Sequence, residues 1–306
     1  MWSRLLGKSR RDTGKARNGV TGDELFPPGH YYSAIPDKKE VFSYLNSRNM
    51  SPQQLPGIQL NEKKQYRLLC EYSHYYGDLP FPETRQPDCR YYYTNEWFSY
   101  GDAIFLYSFL RKHEPRQIIE IGSGFSSALI LDTVERFFSN HPRITFIEPE
   151  PLRLFSLLRE GDREKVNLVL AKVQQVPSRF FCSLQAGDLL FIDSSHVVKC
   201  GSDVLYLLFE VLPLLAGGVF VHFHDIFYPF DYPAAWLQQG RYWNEAYFIR
   251  AFLSFNCEWE IYFMNSYVAT VYREFVKATM PLCGKNGGGS LYIRRRTQVD
   301  KSMTCY

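Results

Sequence analysis

The stretch Ile118-Ile119-Glu120-Ile121-Gly122-Ser123-Gly124-Phe125-Ser126-Ser127 decides the fold. An apolar run of strand type ends in two closely spaced glycines and passes directly into a helical pattern over residues 126–138. Glycines at such a turn let the backbone fold tightly and approach a ligand, with the first helix N–H groups pointing at it. As a dinucleotide signature the run is incomplete, because Ser127 stands where a third glycine belongs, and this argues against a nicotinamide enzyme. The acid two residues before Gly122 argues the same way: Glu120 would repel a pyrophosphate and suits a cationic ligand.

Outward from this turn, strand-like runs at 117–121, 144–147, 166–170, 188–192 and 219–223 alternate with helical patterns at 126–138, 152–159 and 204–212. In the last of these, Val204, Leu207, Leu208, Val211 and Leu212 keep the i, i+3, i+4, i+7, i+8 spacing of a helix. Such alternation predicts a parallel sheet with right-handed crossovers. A helix near 243–255 precedes strands at 259–263 and 290–294, which lack a good helix between them and are expected as a terminal antiparallel pair. The expected fold is α/β: a three-layer sandwich built on a Rossmann-like, mostly parallel seven-stranded sheet, with an N-terminal cap. Helices at 61–76 and 96–112 precede the sheet. The expected division is a basic flexible tail (1–22), a lead-in and helical cap (23–85), the main domain (86–296) and a C-terminal tail (297–306).

Charge location excludes one broad class of function. The 306 residues hold 35 basic and 32 acidic side chains, a net +3. Residues 1–17 carry +5 and residues 294–301 carry +3, so residues 18–293 carry −5. A body without a basic footprint is not that of a dedicated nucleic-acid binder. The apolar stretch from Val211 to Phe223 is broken by Pro213 and Gly217-Gly218, short of the roughly 20 residues a membrane span needs. The basic head lacks the apolar core of a secretory signal. Seven cysteines without a Cys-x-x-Cys pair read as reduced thiols. These features predict a cytoplasmic protein without a membrane span. They leave a homo-oligomer open.

The strand ends carry the chemistry. Glu148, in Phe146-Ile147-Glu148-Pro149-Glu150, directly follows an apolar run and is preferred to Glu150 as an acceptor for ribose hydroxyls. The fourth strand ends Ile192-Asp193-Ser194-Ser195-His196 and the fifth ends His222-Phe223-His224-Asp225. Ligands of open α/β sheets bind beyond the carboxyl ends of strands, so Asp193, His196, His224 and Asp225 reach one crevice beside the glycine turn. Period-2 geometry puts His222 and His224 on one face and Asp225 on the other, with His222 deeper as a hydrogen-bonded core histidine. Three readings stay open for the four residues: general base for a substrate hydroxyl, divalent-metal ligands, or loop anchors. Tyr92, Asn95 and Asp102 are candidates to line the pocket, and residues 227–233 suit a substrate gate. Arg250 reads as an anion contact or a surface ion pair.

These residues together resemble a class I S-adenosylmethionine-dependent methyltransferase, over roughly residues 86–296. Within that superfamily they look like a bacterial group whose fourth strand ends Asp-x-x-His and whose fifth ends His-Asp. The resemblance implies cofactor binding by Glu120, Gly122, Ser123, Gly124, Ser126, Ser127 and Glu148, with Asp193. It implies methyl transfer to a small-molecule or sugar hydroxyl, with Asp193, His196, His224 and Asp225 as catalytic residues and as ligands of a divalent metal if one is used. Related groups include metal-using sugar and macrolide O-methyltransferases and hydroxylase-like proteins. A metal-dependent hydroxylase or hydrolase, or a noncatalytic binding relative, is the alternative.

Overall fold

The computed structural model describes residues 25–50 and 54–298. The expected basic tail (1–22), most of the C-terminal tail and Cys305 lie outside the described residues. The chain divides into two compact units, residues 1–48 and 49–306. In the first, α1 (Lys38–Ser47) starts at a reciprocal cap: Asp37 accepts from the Glu40 amide, and Glu40 accepts from the Asp37 amide.

The second unit opens with α2 (Glu62–Ser73) and α3 (Tyr100–His113). Then come β1 (Gln117–Ile121), α4 (Phe125–Phe137), β2 (Arg143–Ile147), α5 (Leu152–Leu157), α6 (Asp162–Lys165) and β3 (Asn167–Val169). The second half holds β4 (Leu189–Ile192), α7 (Asp203–Tyr206), β5 (Phe220–Phe223), α8 (Ala234–Gln238) and α9 (Glu245–Leu253). It closes with β6 (Trp259–Met264), α10 (Asn265–Val271), α11 (Arg273–Thr279) and β7 (Leu291–Arg295). The sheet order is β3-β2-β1-β4-β5-β7-β6. Only β7 runs against the others, pairing antiparallel with both β5 and β6. The expected seven-stranded, mostly parallel sheet is therefore present, but α10 and α11 fill the link between the last two strands that the sequence pattern left without a helix.

β1, β4 and β5 are buried at every residue, which is why their sequences read as near-continuous apolar runs, interrupted at Gln117, Glu120 and His222, rather than as alternation. The free side of β6 is covered from the lead-in: the Asn61 amide donates to the Ile261 carbonyl at 2.9 Å, and Gln65 accepts from the Met264 amide at 2.8 Å. Both bonds blunt an edge that would otherwise pair with another chain.

Two helical expectations change. The 204–212 pattern begins as α7, widens into a π turn over Leu207–Val211 and ends in a 3-10 turn at Leu212–Leu214. Pro213 has no N–H to donate and its ring crowds the preceding turn, so an α-helix cannot continue through it. The 96–112 helix starts only at Tyr100, because Asn95 Oδ1 accepts from the Trp97 and Phe98 amides and holds a turn there.

Candidate active site

One further backbone bond beyond each central strand keeps the strand ends in register. Gly122 N–H donates to Ile147 O (3.1 Å), Asp193 N–H to Ile121 O (2.8 Å) and His224 N–H to Ile192 O (2.9 Å). The two walls come so close that a Cβ on Gly122 would collide with the Asp193 carbonyl oxygen, and Gly122 itself sits at φ +78°. Glycine is required here on both counts.

The candidate cofactor residues separate into two layers. Glu148 lies at the surface of the crevice and accepts from the Ser123 amide (2.9 Å) and the Glu150 amide (2.8 Å), while Glu150 is exposed. Glu120 and Ser127 lie beneath the turn. The Ser127 hydroxyl donates to Glu120 Oε2 at 2.5 Å and accepts from the Gly124 amide at 2.9 Å. The remaining Glu120 oxygen, Oε1, is buried without a partner, as is the Ser123 hydroxyl. Burial pushes the Glu120 carboxyl up to about 8.

Two cavities meet at Gly122, Glu148, Asp193, Ser194 and Ser195. One, of about 380 Å³, extends over Lys172, Val173 and Gln174. The other, of about 680 Å³, holds Ser126, His196, His224 and Asp225 and is walled by Trp97, Phe98, Trp236 and Trp243.

All four polar residues of the β4 and β5 ends converge in the larger cavity. His196 Nε2 is 3.3 Å from Asp193 Oδ1 and 3.6 Å from Asp225 Oδ2. His224 Nδ1 is 3.4 Å from Asp193 Oδ1 and 3.8 Å from Asp225 Oδ2. Asp225 reaches the crevice as expected, but not on the face opposite His224. β5 ends at Phe223, so strand alternation no longer applies, and a left-handed backbone at Asp225 (φ +59°) turns its carboxylate back toward the histidines. His196 takes the same left-handed conformation (φ +59°). Such backbone is costly for residues with a Cβ and persists where packing enforces it.

Each imidazole is backed by a second carboxylate. His196 Nδ1 lies 2.9 Å from Glu245 Oε2 on α9, which also accepts from the Ser194 hydroxyl at 2.8 Å. His224 Nε2 lies 3.6 Å from Asp102 Oδ2 on α3. Asp102 Oδ1 in turn accepts from Asn265, Gly289 and Ser290. Burial alone would depress both imidazoles, but the facing carboxylates outweigh it. Asp193 and Glu245 push His196 up to about 10, and Asp225, Asp193 and Asp102 hold His224 well above its ordinary value. Burial likewise raises the Asp193 carboxyl, yet the two imidazoles bring it far below the usual carboxylate range. For Asp225 the balance is reversed, and burial keeps it raised.

Other expectations sort differently. His222 is a core residue but not a hydrogen-bonded one. Both ring nitrogens lack partners, because the ring serves as an aromatic plate stacked on Phe191 (3.9 Å) and met edge-on by Tyr292 (4.7 Å). Burial pushes it down to about 3, so it stays neutral. Tyr92 and Asn95 do not line the cavity; Trp97 and Phe98 do. Residues 227–233 form a packed shelf rather than a gate, with Phe230 and Tyr232 fully buried. The arginines on the cavity wall are Arg153 and Arg241, not Arg250. Glu245 and Arg241 were not singled out by sequence. Glu245 did leave a trace: it shares the buried stripe of α9 with Ala246, Ile249 and Leu253, an acid at an apolar position.

A family model described as a methyltransferase domain matches residues 119–226, the segment that builds this crevice. Residues 119–226 are thus a methyltransferase domain. An uncharacterized protein of Archaeoglobus fulgidus is 34% identical over 168 residues, which is 53% of this chain and 75% of that protein. Among solved structures, this chain is similar to the SAH-bound methyltransferase PaMTH1 of Podospora anserina, with 15% identity, 87% of this chain and 99% of that chain covered, and a TM-score of 0.44. It is also similar to the O-methyltransferase TomG of Streptomyces achromogenes, involved in tomaymycin synthesis and solved in complex with SAM. There identity is 16%, coverage 84% and 96%, and the TM-score 0.40.

Proposed function

We propose that this methyltransferase transfers the methyl group of S-adenosylmethionine to a hydroxyl of a small ring compound or sugar, with a divalent metal at the Asp193, His196, His224 and Asp225 cluster. The observation that carries the proposal is the convergence of those four side chains in the cavity that adjoins the glycine turn.

The crevice fits the cofactor. Gly122 offers both cavities a cradle without a side chain, and Glu120 Oε1 and the Ser123 hydroxyl, close to it in the chain, are buried without partners among the described residues. In this reading Glu148 accepts the ribose hydroxyls, Glu120 favours the ammonium, and the smaller cavity over Lys172, Val173 and Gln174 takes the base. When bound, S-adenosylmethionine supplies an electrophilic methyl on a good leaving group, so the chain's task is alignment and deprotonation of the acceptor.

The donor set fits a divalent ion. Among the described residues no group of three or more His, Cys, Asp or Glu side chains is already placed to hold a metal ion. However, ligand atoms held at ~2.0–2.2 Å from an ion stand about 3–3.5 Å apart, and the spacings here begin at 3.3 Å and reach 3.8 Å. The second nitrogen of each imidazole faces a carboxylate, the usual support of a metal-ligating histidine. The alternative, a histidine base, requires a neutral imidazole. Asp193, Glu245, Asp225 and Asp102 instead favour protonated rings, which can neither accept a proton nor hold a metal until that proton is displaced. A divalent ion would balance the same carboxylates and lower the pKa of a nearby hydroxyl.

Calorimetry with S-adenosylhomocysteine tests the cofactor, and chelation tests the metal. Binding of S-adenosylhomocysteine, with methyl transfer lost to chelator and restored by a divalent ion, is expected. A folded protein that ignores the cofactor would overturn the whole reading, and transfer indifferent to chelator would overturn the metal.

A further inference from the structure

The larger cavity is lined by acids, yet two permanent cations, Arg153 and Arg241, stand on its wall. Neither guanidinium has a carboxylate partner among the described residues. Arg153, on α5, lies against the glycine turn: its Cδ would lie 3.1 Å from a Cβ on Gly124, and its guanidinium stacks 3.7 Å over Trp97.

Arg241 stands 5.2 Å over the Trp236 ring and 5.8 Å from that of Trp243. It is pinned there. Its amide donates to the Trp236 carbonyl at 2.9 Å, through a turn in which Gly240 takes φ +86°. The two indoles meet edge-to-face at 5.2 Å, and Trp243 lies 4.4 Å from the ring of His196. A continuous aromatic wall thus runs from the His–Asp cluster to an unpaired guanidinium, two ring contacts away.

From this wall we infer that the acceptor is an anionic ring compound. Its ring lies against Trp236 and Trp243, its hydroxyl points at the cluster, and its carboxylate or phosphate pairs with Arg241. This rests on the methyltransferase reading of the site and names its substrate class. Indole faces suit planar and sugar rings alike, and a guanidinium over an aromatic face keeps its N–H edge free for an oxyanion. In a cavity lined by Glu96, Glu148, Asp193 and Asp225, a guanidinium on the aromatic wall favours an anionic group that can reach it.

The test uses the full chain saturated with S-adenosylhomocysteine and two matched probe pairs, caffeate against 4-methylcatechol and glucose 6-phosphate against glucose, measured by calorimetry. The anionic member of at least one pair is expected to bind about tenfold more tightly. The pair that shows the preference tells carboxylate from phosphate. Arg241→Gln should abolish the preference and Arg241→Lys should keep part of it, with S-adenosylhomocysteine affinity unchanged in both. If neither anion outbinds its neutral counterpart in the native protein, including the case where no probe binds, the inference falls. It also falls if the preference survives Arg241→Gln or is lost only in Arg153→Gln. Failure to bind S-adenosylhomocysteine at all is a separate result, and counts against the methyltransferase reading itself.

Discussion

Glu245 holds His196: the carboxylate Oε2 lies 2.9 Å from Nδ1 and leaves Nε2 facing Asp193 and Asp225. The carboxylate is buried on α9 and fixes which nitrogen is offered to the cavity. Glu245→Gln should therefore lower methyl transfer by about 10–100-fold while leaving S-adenosylhomocysteine affinity within about twofold. Steady-state kinetics and calorimetry on the same preparation check this. A shifted pH–rate profile is expected alongside, which a purely structural role for Glu245 would not produce.

Gly122 and Gly161 make a matched pair, because both have φ near +80°. A Cβ on Gly122 meets the Asp193 carbonyl, whereas one on Gly161 meets nothing within 4 Å. Gly161→Ala should cost only about 1 kcal/mol, the backbone penalty alone. Gly122→Ala should cost about 2–4 kcal/mol, because the β1 and β4 ends must separate. It should also weaken S-adenosylhomocysteine binding by more than about 100-fold, since the cradle is lost. Urea unfolding of both variants separates strain from collision.

Glu120 sets a pH dependence whose sign is fixed by its environment. Burial raises its carboxyl from 4.5 to about 8, opposed by Ser126 and Ser127 and reinforced by Asp193 and Glu148. A carboxyl raised in the folded state contributes stability that is fully present below about 4.5 and is lost as pH rises through about 8. Glu120→Gln should flatten that decline and leave the cofactor-free protein about 1–3 kcal/mol more stable than the native chain at pH 9. Cofactor binding should release a proton near pH 8 in the native protein and not in the variant, a difference visible as buffer-dependent heat.

Arg90 anchors the segment before α3 to α4. It donates to Asp132 (2.7 Å), Glu135 (2.7 Å) and, through two nitrogens, Asp162 (2.7 and 2.6 Å), with only 5% of its surface exposed. Arg90→Met leaves two buried carboxylates without their cation and should cost about 3–5 kcal/mol in urea unfolding. Arg90→Lys should recover less than half of this, because one ammonium cannot serve both carboxylates at once.

The sheet and the place of the site were legible because both are written in local patterns. Runs such as Ile118–Ile121 and Leu190–Ile192 announce buried strands by composition, and Gly122-Ser123-Gly124 announces a turn by its backbone demands. The link between β6 and β7 was misread because α10 and α11 are short and weakly periodic. The 227–233 segment suits a gate by its place, leaving the fifth strand beside the crevice, which the sequence shows, while the burial of Phe230 and Tyr232 is not visible there.

The sequence by itself determined the α/β alternation, the crevice at the strand ends and the identity of the four polar residues brought there. Periodicity tells where a side chain points only inside a regular element. Asp225 lies two residues beyond β5, where a single left-handed φ sets its direction, and that φ is chosen by packing. Tertiary structure alone brought Asp102 from α3 and Glu245 from α9 to back the two histidines, and set Arg241 on the aromatic wall. No local pattern encodes such meetings, because they join residues far apart in the chain through the way their elements pack on one sheet.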